Sequence, residues 1–227
     1  MSNSTKGADW VAPDCAGMNF YAVDRGLQSG IAAYLPANLR AVVEPQMDRL
    51  GALGGGRLDE LSRIADRHPP VLHPRDAAGR DLETIEHHPA YREMEQLAYG
   101  EFSMHRMCHV EGVFGWPEAM PPLVRYIFQY LFVQGEFGLI CPVSMADTGL
   151  TLMRNQASDE LKERYLPRML SNDMDELWRC AQFLTEQGAG SDVGNIEVMA
   201  RAEGDHWLID GDKWFCSNAD AEVILLL

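Results

Sequence analysis

Two short polar segments contain the residue types that could bind a phosphorylated or aromatic ligand. The first, residues 184–193, follows a predicted strand and contains two glycines and the hydroxyls of Thr185 and Ser191. Glycines let backbone amides approach an anion closely, so this segment could hold a phosphate. It lacks the lysine of a P-loop and the strand–helix setting of a Rossmann fingerprint. On composition alone, a glycine-rich connection closed by a turn at Asp192 is the simpler interpretation.

The second polar segment comes one predicted hairpin later, on a predicted strand from Lys213 to Ser217. Alternation along that strand would send the side chains of Phe215 and Ser217 to one face. Trp214 and Cys216 would then lie on the opposite face. A flat aromatic ring beside a hydroxyl suits an isoalloxazine ring, which offers a π-face and polar edge atoms. Taken alone, the segment is explained more simply as an aromatic strand of the core.

The elements that must position these segments change in kind along the chain. Apolar residues recur at helical spacing up to about residue 170, and near Leu177 the period changes from 3.6 to 2. This predicts helices first and a β-meander second, with a boundary near 172–177. The predicted helices lie at about 35–50, 58–67, 89–109, 122–137, 143–154 and 159–167. The predicted strands lie at about 178–184, 196–202, 206–210, 213–217 and 223–227.

Local signals refine these elements. Pro45 is expected to kink or end its helix near Glu44, because proline cannot donate the intrahelical hydrogen bond. Ser158 is a plausible N-cap for the helix that follows it. Residues 71–88 are expected to be irregular or briefly extended, with a turn at Ala78-Gly79.

Composition bounds the class of protein. The 227 residues include 19 Lys and Arg against 34 Asp and Glu, a net charge of −15. A general nucleic-acid binder needs a surplus of cations for phosphate contacts, so the charge argues against that class. Five cysteines without CxxC spacing indicate a reduced, cytosolic protein with mostly buried thiols. The apolar region Leu123–Ile140 is interrupted by charged and amide side chains, which predicts a buried helix rather than a membrane span.

Considered together, the two polar segments resemble the paired flavin motifs of acyl-CoA dehydrogenases. The motifs read Thr185-Glu186-x-x-x-Gly190-Ser191-Asp192 and Gly211-x-Lys213-Trp214-Phe215-x-Ser217. The helical part is similar to the AidB-like branch of that family, which is named for the adaptive response to alkylating agents. The segments similar to that branch are 63–65, 69–70, 76–80, 88–90, 141–145 and 212–215, and residues 159–167 resemble the segment that joins the helical domain to the β-domain in the wider family. The resemblance covers nearly the whole chain from about residue 15.

The resemblance implies an α+β fold in which an all-α helical domain precedes an incomplete antiparallel β-domain. The implied domains are a flexible N-terminal arm at 1–20, a helical domain at 21–176 and the first part of a middle β-domain at 177–227. The C-terminal helical domain of the family has no counterpart in this sequence. The chain ends in an apolar run, so we expect the front part of a longer flavoenzyme.

The cofactor implied by the resemblance is FAD. Gln182, Phe183 and Leu184 would border the pyrimidine edge of the flavin. The hydroxyl and amide of Thr185 would join them there, where donors stabilise the negative charge that reduction places near flavin N1.

The remaining cofactor-binding residues are also implied by the resemblance. Gly190 and Ser191 would meet the pyrophosphate. Phe215 would flank the flavin ring where many relatives carry Trp, and Ser217 would approach flavin N5 where many relatives carry Thr. Cys216 lies inside the same motif. The replacements keep an aromatic ring and a hydroxyl, so the flavin interpretation survives them.

The implied reaction of the intact enzyme is removal of a proton from Cα of an acyl-CoA and transfer of a hydride from Cβ to FAD. The general base of the family lies in the C-terminal domain, so no catalytic base is named here and Glu186 is interpreted as a motif residue. Implied partners are acyl-CoA, an electron acceptor such as an electron-transfer flavoprotein, and identical subunits in a homotetramer. DNA contact would require the C-terminal region, and this chain alone is expected to be inactive.

Other interpretations stay open from the sequence. The protein could be a flavoprotein of DNA protection, a non-catalytic helical interaction module, or a flavin oxidase. His105 and His109 have a spacing that suits a metal, but ordinary surface or capping histidines are the favoured interpretation. A solvated polar cluster is expected from Glu83, Glu86, His87 and His88. Core positions are expected for Met104, Met107 and Met120.

Overall fold

The computed structural model describes residues 12–227, in which helices come first and short strands follow. The helices are α1 (Phe20–Val23), α2 (Arg25–Tyr34), α3 (Ala37–Gly54), α4 (Arg57–Asp66), α5 (Pro89–Glu95), α6 (Pro122–Val133), α7 (Ile140–Gln156) and α8 (Asp159–Met169). The strands are β1 (Val71–Arg75), β2 (Asp81–Glu86), β3 (Cys180–Phe183), β4 (Met199–Glu203), β5 (His206–Asp210) and β6 (Val223–Leu226). The predicted α+β class is confirmed. Most of the predicted arm at 1–20 lies outside the described residues.

The helices enclose one apolar core. Its largest fully buried side chains include Tyr99, Phe102, Phe128 and Phe132. The rings of Phe102 and Phe128 lie 5.9 Å apart and are tilted, a favourable aromatic geometry. The predicted core methionines are confirmed, because Met104, Met107 and Met120 are all buried.

Pro45 was expected to kink or end its helix. The helix does not end there, since α3 continues through Pro45 to Gly54. Val43, Met47 and Leu50 on this helix are completely buried, and α3 packs against α6. A proline inside a helix costs about 3 kcal/mol, whereas burial of each such side chain contributes about 1.5–3 kcal/mol. Burial therefore outweighs the missing hydrogen bond.

Other boundaries differ more modestly. The helix predicted at 89–109 becomes α5, a π-helical turn at Gln96–Glu101 and then irregular turns. At Gly100 an added Cβ would lie 2.3 Å from Gln96 Nε2, which shows how tightly this turn is packed. The Ser158 cap is confirmed, since its hydroxyl accepts from Leu161 N at 3.3 Å. The extended segment at 71–88 is a hairpin of β1 and β2.

The strand-rich part contains two separate strand pairs. β4 and β5 form the predicted antiparallel hairpin. β3 and β6 instead pair in parallel, with Cys180 opposite Val223. Parallel pairing requires a long crossover, and residues 184–222 provide it. β4 is exposed throughout, because its only partner among the described strands is β5.

Two further expectations concern the surface and the thiols. The expectation of mostly buried thiols is wrong, because Cys180 is buried whereas Cys15 and Cys141 are exposed. Burial raises the pKa of the Cys180 thiol to about 11. None of the helices described between residues 12 and 227 is both long and apolar enough to span a bilayer.

Candidate cofactor-binding site

The two polar segments of the sequence lie side by side in the structure. The backbone N–H of Trp214 donates to the carbonyl of Thr185 at 2.8 Å. Lys213 Nζ donates to the carbonyl of Leu184 at 3.0 Å. These hydrogen bonds join the residues just after β3 to the second polar segment. Residues that are almost thirty positions apart in the chain therefore form one surface.

Glu186 and Lys213 form a buried ion pair beneath this surface. Lys213 Nζ lies 2.5 Å from Glu186 Oε1, and both side chains are less than a tenth exposed. The Glu186 carboxylate also accepts from the N–H groups of Glu197 at 2.5 Å and Val198 at 3.1 Å. The hydrogen bond from Lys213 is the main reason that the pKa of Glu186 is lowered. With its oxygens committed to these donors, Glu186 organises the loop and is not free to act as a base.

The first polar segment makes a tight turn that leaves backbone donors free. Glu186 and Ala189 exchange two backbone hydrogen bonds of 2.9 and 3.1 Å. Immediately after this turn, Gly190 and Ser191 are exposed, and within residues 12–227 no acceptor lies in hydrogen-bond contact with their N–H groups. An added Cβ on Gly190 would meet only Thr185 Cγ2, at 3.8 Å. The turn therefore presents open, unpaired donors of the kind that bind an anion.

The second polar segment is not the predicted strand. Lys213 to Ser217 is irregular, and Phe215 has a φ of 57°. The predicted alternation of side chains between two faces is therefore wrong. A left-handed conformation is strained for a bulky residue and persists only where its surroundings fix it. Phe215 is 80% exposed.

Hydrogen bonds on both sides of Phe215 fix this irregular segment. Ser217 N donates to the carbonyl of Phe215 at 3.0 Å, and Cys216 Sγ donates to the carbonyl of Lys213 at 3.3 Å. The Asn218 side-chain amide donates to the carbonyl of Cys180 at 3.3 Å, which ties the segment to β3. The left-handed turn thus presents an aromatic ring to solvent beside the Ser217 hydroxyl.

Two clefts border this surface. The first has a volume of about 300 Å³ and lies between the turn at 186–188 and the segment at 211–214. The second, of about 410 Å³, lies between Cys216 and Ser217 on one side and the helical part on the other. Tyr91 and Pro142 contribute to its opposite wall. The second cleft is therefore built jointly by the helices and the strand-rich part.

The structure brings together some of the predicted site residues and separates others. Thr185 is bonded directly to Trp214, beside Phe215. Cys216 and Ser217 line the second cleft, whereas Gly190 and Ser191 do not. The three predicted site residues before Thr185 lie on or just after β3 and are half-buried or exposed: Gln182, Phe183 and Leu184. The predicted residues therefore follow an extended surface rather than surround one pocket, which is the arrangement a long ligand requires.

One group of residues at the edge of the site was missed by the sequence interpretation. Arg179 lies beside Glu95 of α5, and beside Asp220 and Glu222 of the segment before β6. The expectation that His87 is solvated is wrong, since its side chain is 9% exposed and its Nε2 lies 3.3 Å from Asp220. A charged residue inside an otherwise apolar predicted strand was the only signal for this cluster.

The two histidines considered as metal ligands serve other roles. His105 is fully buried, its Nε2 is 3.0 Å from the Ser171 carbonyl, and burial lowers its pKa to about 3. His109 Nε2 lies 3.0 Å from Asp147, and burial lowers the pKa of His109 to about 4. The expectation of surface or capping histidines is wrong for His105. No group of three potential metal-ligating side chains occurs in the described part of the chain.

Comparison with known families covers almost all of the sequence. Residues 11–176 match the family described as the adaptive response protein AidB N-terminal domain. Residues 181–227 match the middle domain of acyl-CoA dehydrogenases. The surface formed by the two polar segments lies within the second match.

Curated relatives agree with these matches. Acyl-CoA dehydrogenase family member 11 of Caenorhabditis elegans is 27% identical over 220 residues, which cover 92% of this chain and 34% of that protein. The putative acyl-CoA dehydrogenase AidB of Escherichia coli (strain K12) is 30% identical over 188 residues, which cover 76% of this chain and 33% of that protein. The chain spans about a third of the length of these relatives.

Solved structures share the fold. Bd2924 in its apo form superposes with a TM-score of 0.78 at 24% identity and covers 96% of this chain and 43% of that one. ACDH-11 of Caenorhabditis elegans in complex with C11-CoA gives a TM-score of 0.77 at 24% identity, covering 100% of this chain and 38% of that one. Since the AidB N-terminal match spans most of the chain and a middle-domain match follows it, this protein belongs to the AidB-like branch of the acyl-CoA dehydrogenase family.

Proposed function

We propose that this chain supplies the flavin-binding surface of an FAD-dependent oxidoreductase that dehydrogenates an acyl-CoA thioester between Cα and Cβ. The observation that carries the proposal is the hydrogen bond between the two polar segments, from the backbone N–H of Trp214 to the carbonyl of Thr185. This contact forms one surface with free backbone donors at one end and an exposed aromatic ring and a hydroxyl at the other. FAD has the matching chemistry, a pyrophosphate and a flat ring joined by a flexible chain.

The residues present fit this cofactor. The unpaired N–H groups of Gly190 and Ser191 would hold the pyrophosphate, since an exposed turn rich in amide donors stabilises an anion. Phe215 would cover one face of the ring, and Ser217 would donate a hydrogen bond to its polar edge. When bound, the flavin accepts the hydride that leaves Cβ.

The end of the first strand would orient the pyrimidine side of the ring. Gln182, Phe183, Leu184 and Thr185 together form this edge in the proposal. The Leu184 and Thr185 carbonyls already accept hydrogen bonds from Lys213 and Trp214. The Thr185 hydroxyl and amide would be the donors toward the ring, placed where reduction increases its negative charge.

The second cleft suits the acyl part of the substrate. Its volume of about 410 Å³ lies within the usual range for small-molecule sites, and Ser217 places it next to the proposed flavin ring. Apolar side chains such as Ile85 and Pro142 line it, and among the described residues its wall contains no lysine or arginine. It therefore fits a neutral hydrocarbon better than a phosphate. The relative solved with C11-CoA is consistent with this class of ligand.

Other features of the whole protein belong to the same proposal. Glu186 is occupied by three donors, so we assign it no role as a base. Since the chain spans about a third of the length of its relatives, the catalytic base would come from the part of the family that this chain does not cover. An electron-transfer flavoprotein would reoxidise the flavin, and identical subunits would assemble as a homotetramer. We place the protein in the cytoplasm, where the five free cysteines stay reduced.

A second candidate function follows from the AidB match itself. The AidB N-terminal match over residues 11–176 favours a flavoprotein of the alkylation response that acts in DNA protection. The net charge of −15 supplies no general phosphate-binding surface, so DNA contact would come from sequence outside this chain. Both candidate functions share the flavin surface.

The test is the flavin content of the purified protein, followed by anaerobic addition of acyl-CoA thioesters. The proposal predicts that denaturation releases FAD and that a saturated acyl-CoA bleaches the visible flavin absorbance. Protein that contains FAD but is bleached by no acyl-CoA would favour the DNA-protection candidate. A colourless protein that takes up no added FAD would contradict both.

A further inference from the structure

We propose that Arg179 is a positioning residue that clamps the segment carrying Phe215 and Ser217 against helix α5. This inference rests on the proposed function, because it takes the surface that carries Phe215 and Ser217 to be the flavin site. Arg179 itself does not reach that surface. Arg179 lies in the short link between the helical part and β3. It contacts Glu95 of α5 and the residues Asp220 and Glu222, which follow the second polar segment in the chain. Asp220 and Tyr91 of α5 line opposite walls of the second cleft, so a single side chain ties together the two elements that form those walls.

The contacts on the strand side fix the residues that link the second polar segment to β6. Arg179 Nη2 donates to the carbonyl of Asp220 at 3.1 Å, and Nη1 lies 3.3 Å from the Asp220 carboxylate. Glu222 accepts from Arg179 Nη2 at 3.1 Å and from the Arg179 backbone N–H at 2.7 Å. One guanidinium thus holds two neighbouring acidic residues and a backbone carbonyl.

The contacts on the helical side are more deeply buried. Arg179 Nη1 lies 3.4 Å from Glu95 Oε1, and the side chain of Glu95 is only 1% exposed. The other oxygen of Glu95 accepts from Arg92 at 2.6 Å. A buried carboxylate is costly unless it is paired, so Glu95 stabilises Arg179 in this one orientation.

The cluster requires an arginine. A guanidinium offers five donors in a rigid planar fork, whereas a lysine is a single point charge. Arg179 uses that fork to reach Glu95, Asp220 and Glu222 at once. Burial tends to raise the pKa of Asp220, but Arg179 and His87 outweigh burial and hold that pKa below its usual value. Asp220 is therefore kept charged and attached to the clamp.

The clamp acts on the strained turn. The Asn218 side-chain amide donates a hydrogen bond to the carbonyl of Cys180. Asn218 has a φ of 60° and Phe215 has a φ of 57°, so both are left-handed. Left-handed residues of this kind stay in place only when bonds on both sides determine the backbone. The Cys180 contact supplies one fixed point and the Arg179–Asp220 contact supplies the other. Loss of the second would let the turn relax and would move Ser217 and Phe215 away from the flavin positions.

The test compares Arg179→Met with Arg201→Met in the complete protein. Arg201 is a matched control, because it forms an ion pair with Glu203 at 3.1 Å but both side chains are more than half exposed. The reporters are the hydrogen-bonded amides of Ser217, Ala221 and Val223, followed by hydrogen exchange without ligand. The second readout is the dissociation constant for added FAD.

The clamp predicts that Arg179→Met accelerates exchange at these three amides by about tenfold or more, while amides of α6 keep their wild-type rates. FAD affinity should fall by about tenfold or more in the same variant, and Arg201→Met should change neither readout. Arg179→Lys should be intermediate in both, which provides a folded variant if Arg179→Met does not fold.

Three results distinguish the clamp, its positioning role and the proposed function. Unchanged exchange at the three amides in both Arg179 variants would overturn the clamp, whether or not FAD binds. Wild-type protein without any affinity for FAD would overturn the proposed function, and the exchange data would then still decide whether Arg179 holds the turn. Wild-type FAD affinity in an Arg179→Met protein with a loosened turn would overturn the positioning role.

Discussion

Lys213 Nζ lies 2.5 Å from Glu186 Oε1 inside the strand-rich part, where each side chain is less than a tenth exposed. The pair joins the two polar segments from beneath, since Glu186 belongs to the first segment and Lys213 to the second. Lys213 also bonds the Leu184 carbonyl, and Glu186 also binds two backbone N–H groups. The ion pair is therefore the internal support of the proposed cofactor surface.

Removing the cation should loosen the loop that Glu186 organises. In Lys213→Met the carboxylate keeps its backbone donors but loses its buried counter-charge. We expect exchange of the Glu197 and Val198 amides to accelerate by about tenfold or more, because both donate to that carboxylate. Arg201→Met, which removes an exposed cation from the neighbouring strand, is the control. Equal exchange in the two variants would show that the ion pair does not support the loop.

The same carboxylate predicts an acid-side loss of stability. The pKa of Glu186 is lowered in the folded protein from an ordinary value of 4.5, chiefly by Lys213. The contribution of the Glu186 carboxylate to folding stability is therefore fully present above pH 4.5. It is lost as the pH falls through the lower pKa that this group has in the folded protein. Glu186→Gln should be less stable than wild type near neutrality, and the difference should shrink below pH 4.5. Thermal unfolding of both proteins across that range measures it, and a gap independent of pH would contradict the assignment.

His105 predicts a second pH dependence in a different range. Burial lowers its pKa from 6.5 to about 3, so the folded protein binds fewer protons than the unfolded chain between those values. Stability should therefore be full above pH 6.5 and fall below it by at most about 1.4 kcal/mol per pH unit for this group. His105→Gln should lose less stability than wild type between pH 6.5 and 4.

The control for this experiment is the exposed His206, which lies at the start of β5. His206→Gln should follow the wild-type profile. A His105→Gln protein whose unfolding free energy falls as steeply as that of wild type would contradict the burial of a neutral imidazole.

Two helical glycines predict changes of opposite sign. In α3, a Cβ on Gly51 would lie 2.4 Å from Tyr21 N, a backbone atom, so Gly51→Ala should destabilise the protein by about 1–3 kcal/mol. In α2, a Cβ on Gly30 would have nothing within 4 Å, so Gly30→Ala should stabilise by about 0.5–1 kcal/mol. Denaturant unfolding measures both. The packing of α1 on α3 would be wrong if Gly51→Ala were as stable as wild type.

Sequence periodicity predicted α3, α4, α6, α7 and α8, whose apolar faces are buried in one core, but it predicted no helix at α1 or α2. The Ser158 cap and the turn at Ala78-Gly79 also depend on local residue types, and both were correct. The long-range features could not be read in the same way. Nothing near Pro45 in sequence shows that α6 packs against its helix, and nothing near β3 shows that β6 pairs with it in parallel.

The candidate site was predictable as a motif but not as a geometry. Alternation predicted a strand at 213–217, whereas the left-handed φ of Phe215 comes from bonds to residues on either side of it. The burial of His87 likewise depends on Asp220, more than a hundred residues away. Such contacts between distant parts of the chain leave no periodic signal.

The most direct test of the central claim measures FAD affinity in three proteins expressed from the complete reading frame: wild type, Gly190→Ala and Gly188→Ala. A Cβ at either glycine fits the fold without a clash, but only Gly190 is assigned to the pyrophosphate. We predict that wild type and Gly188→Ala bind FAD equally well and that Gly190→Ala binds about tenfold more weakly or worse, with unfolding midpoints unchanged. Wild-type affinity in Gly190→Ala, or no binding of FAD by any of the three, would contradict the proposed flavin surface.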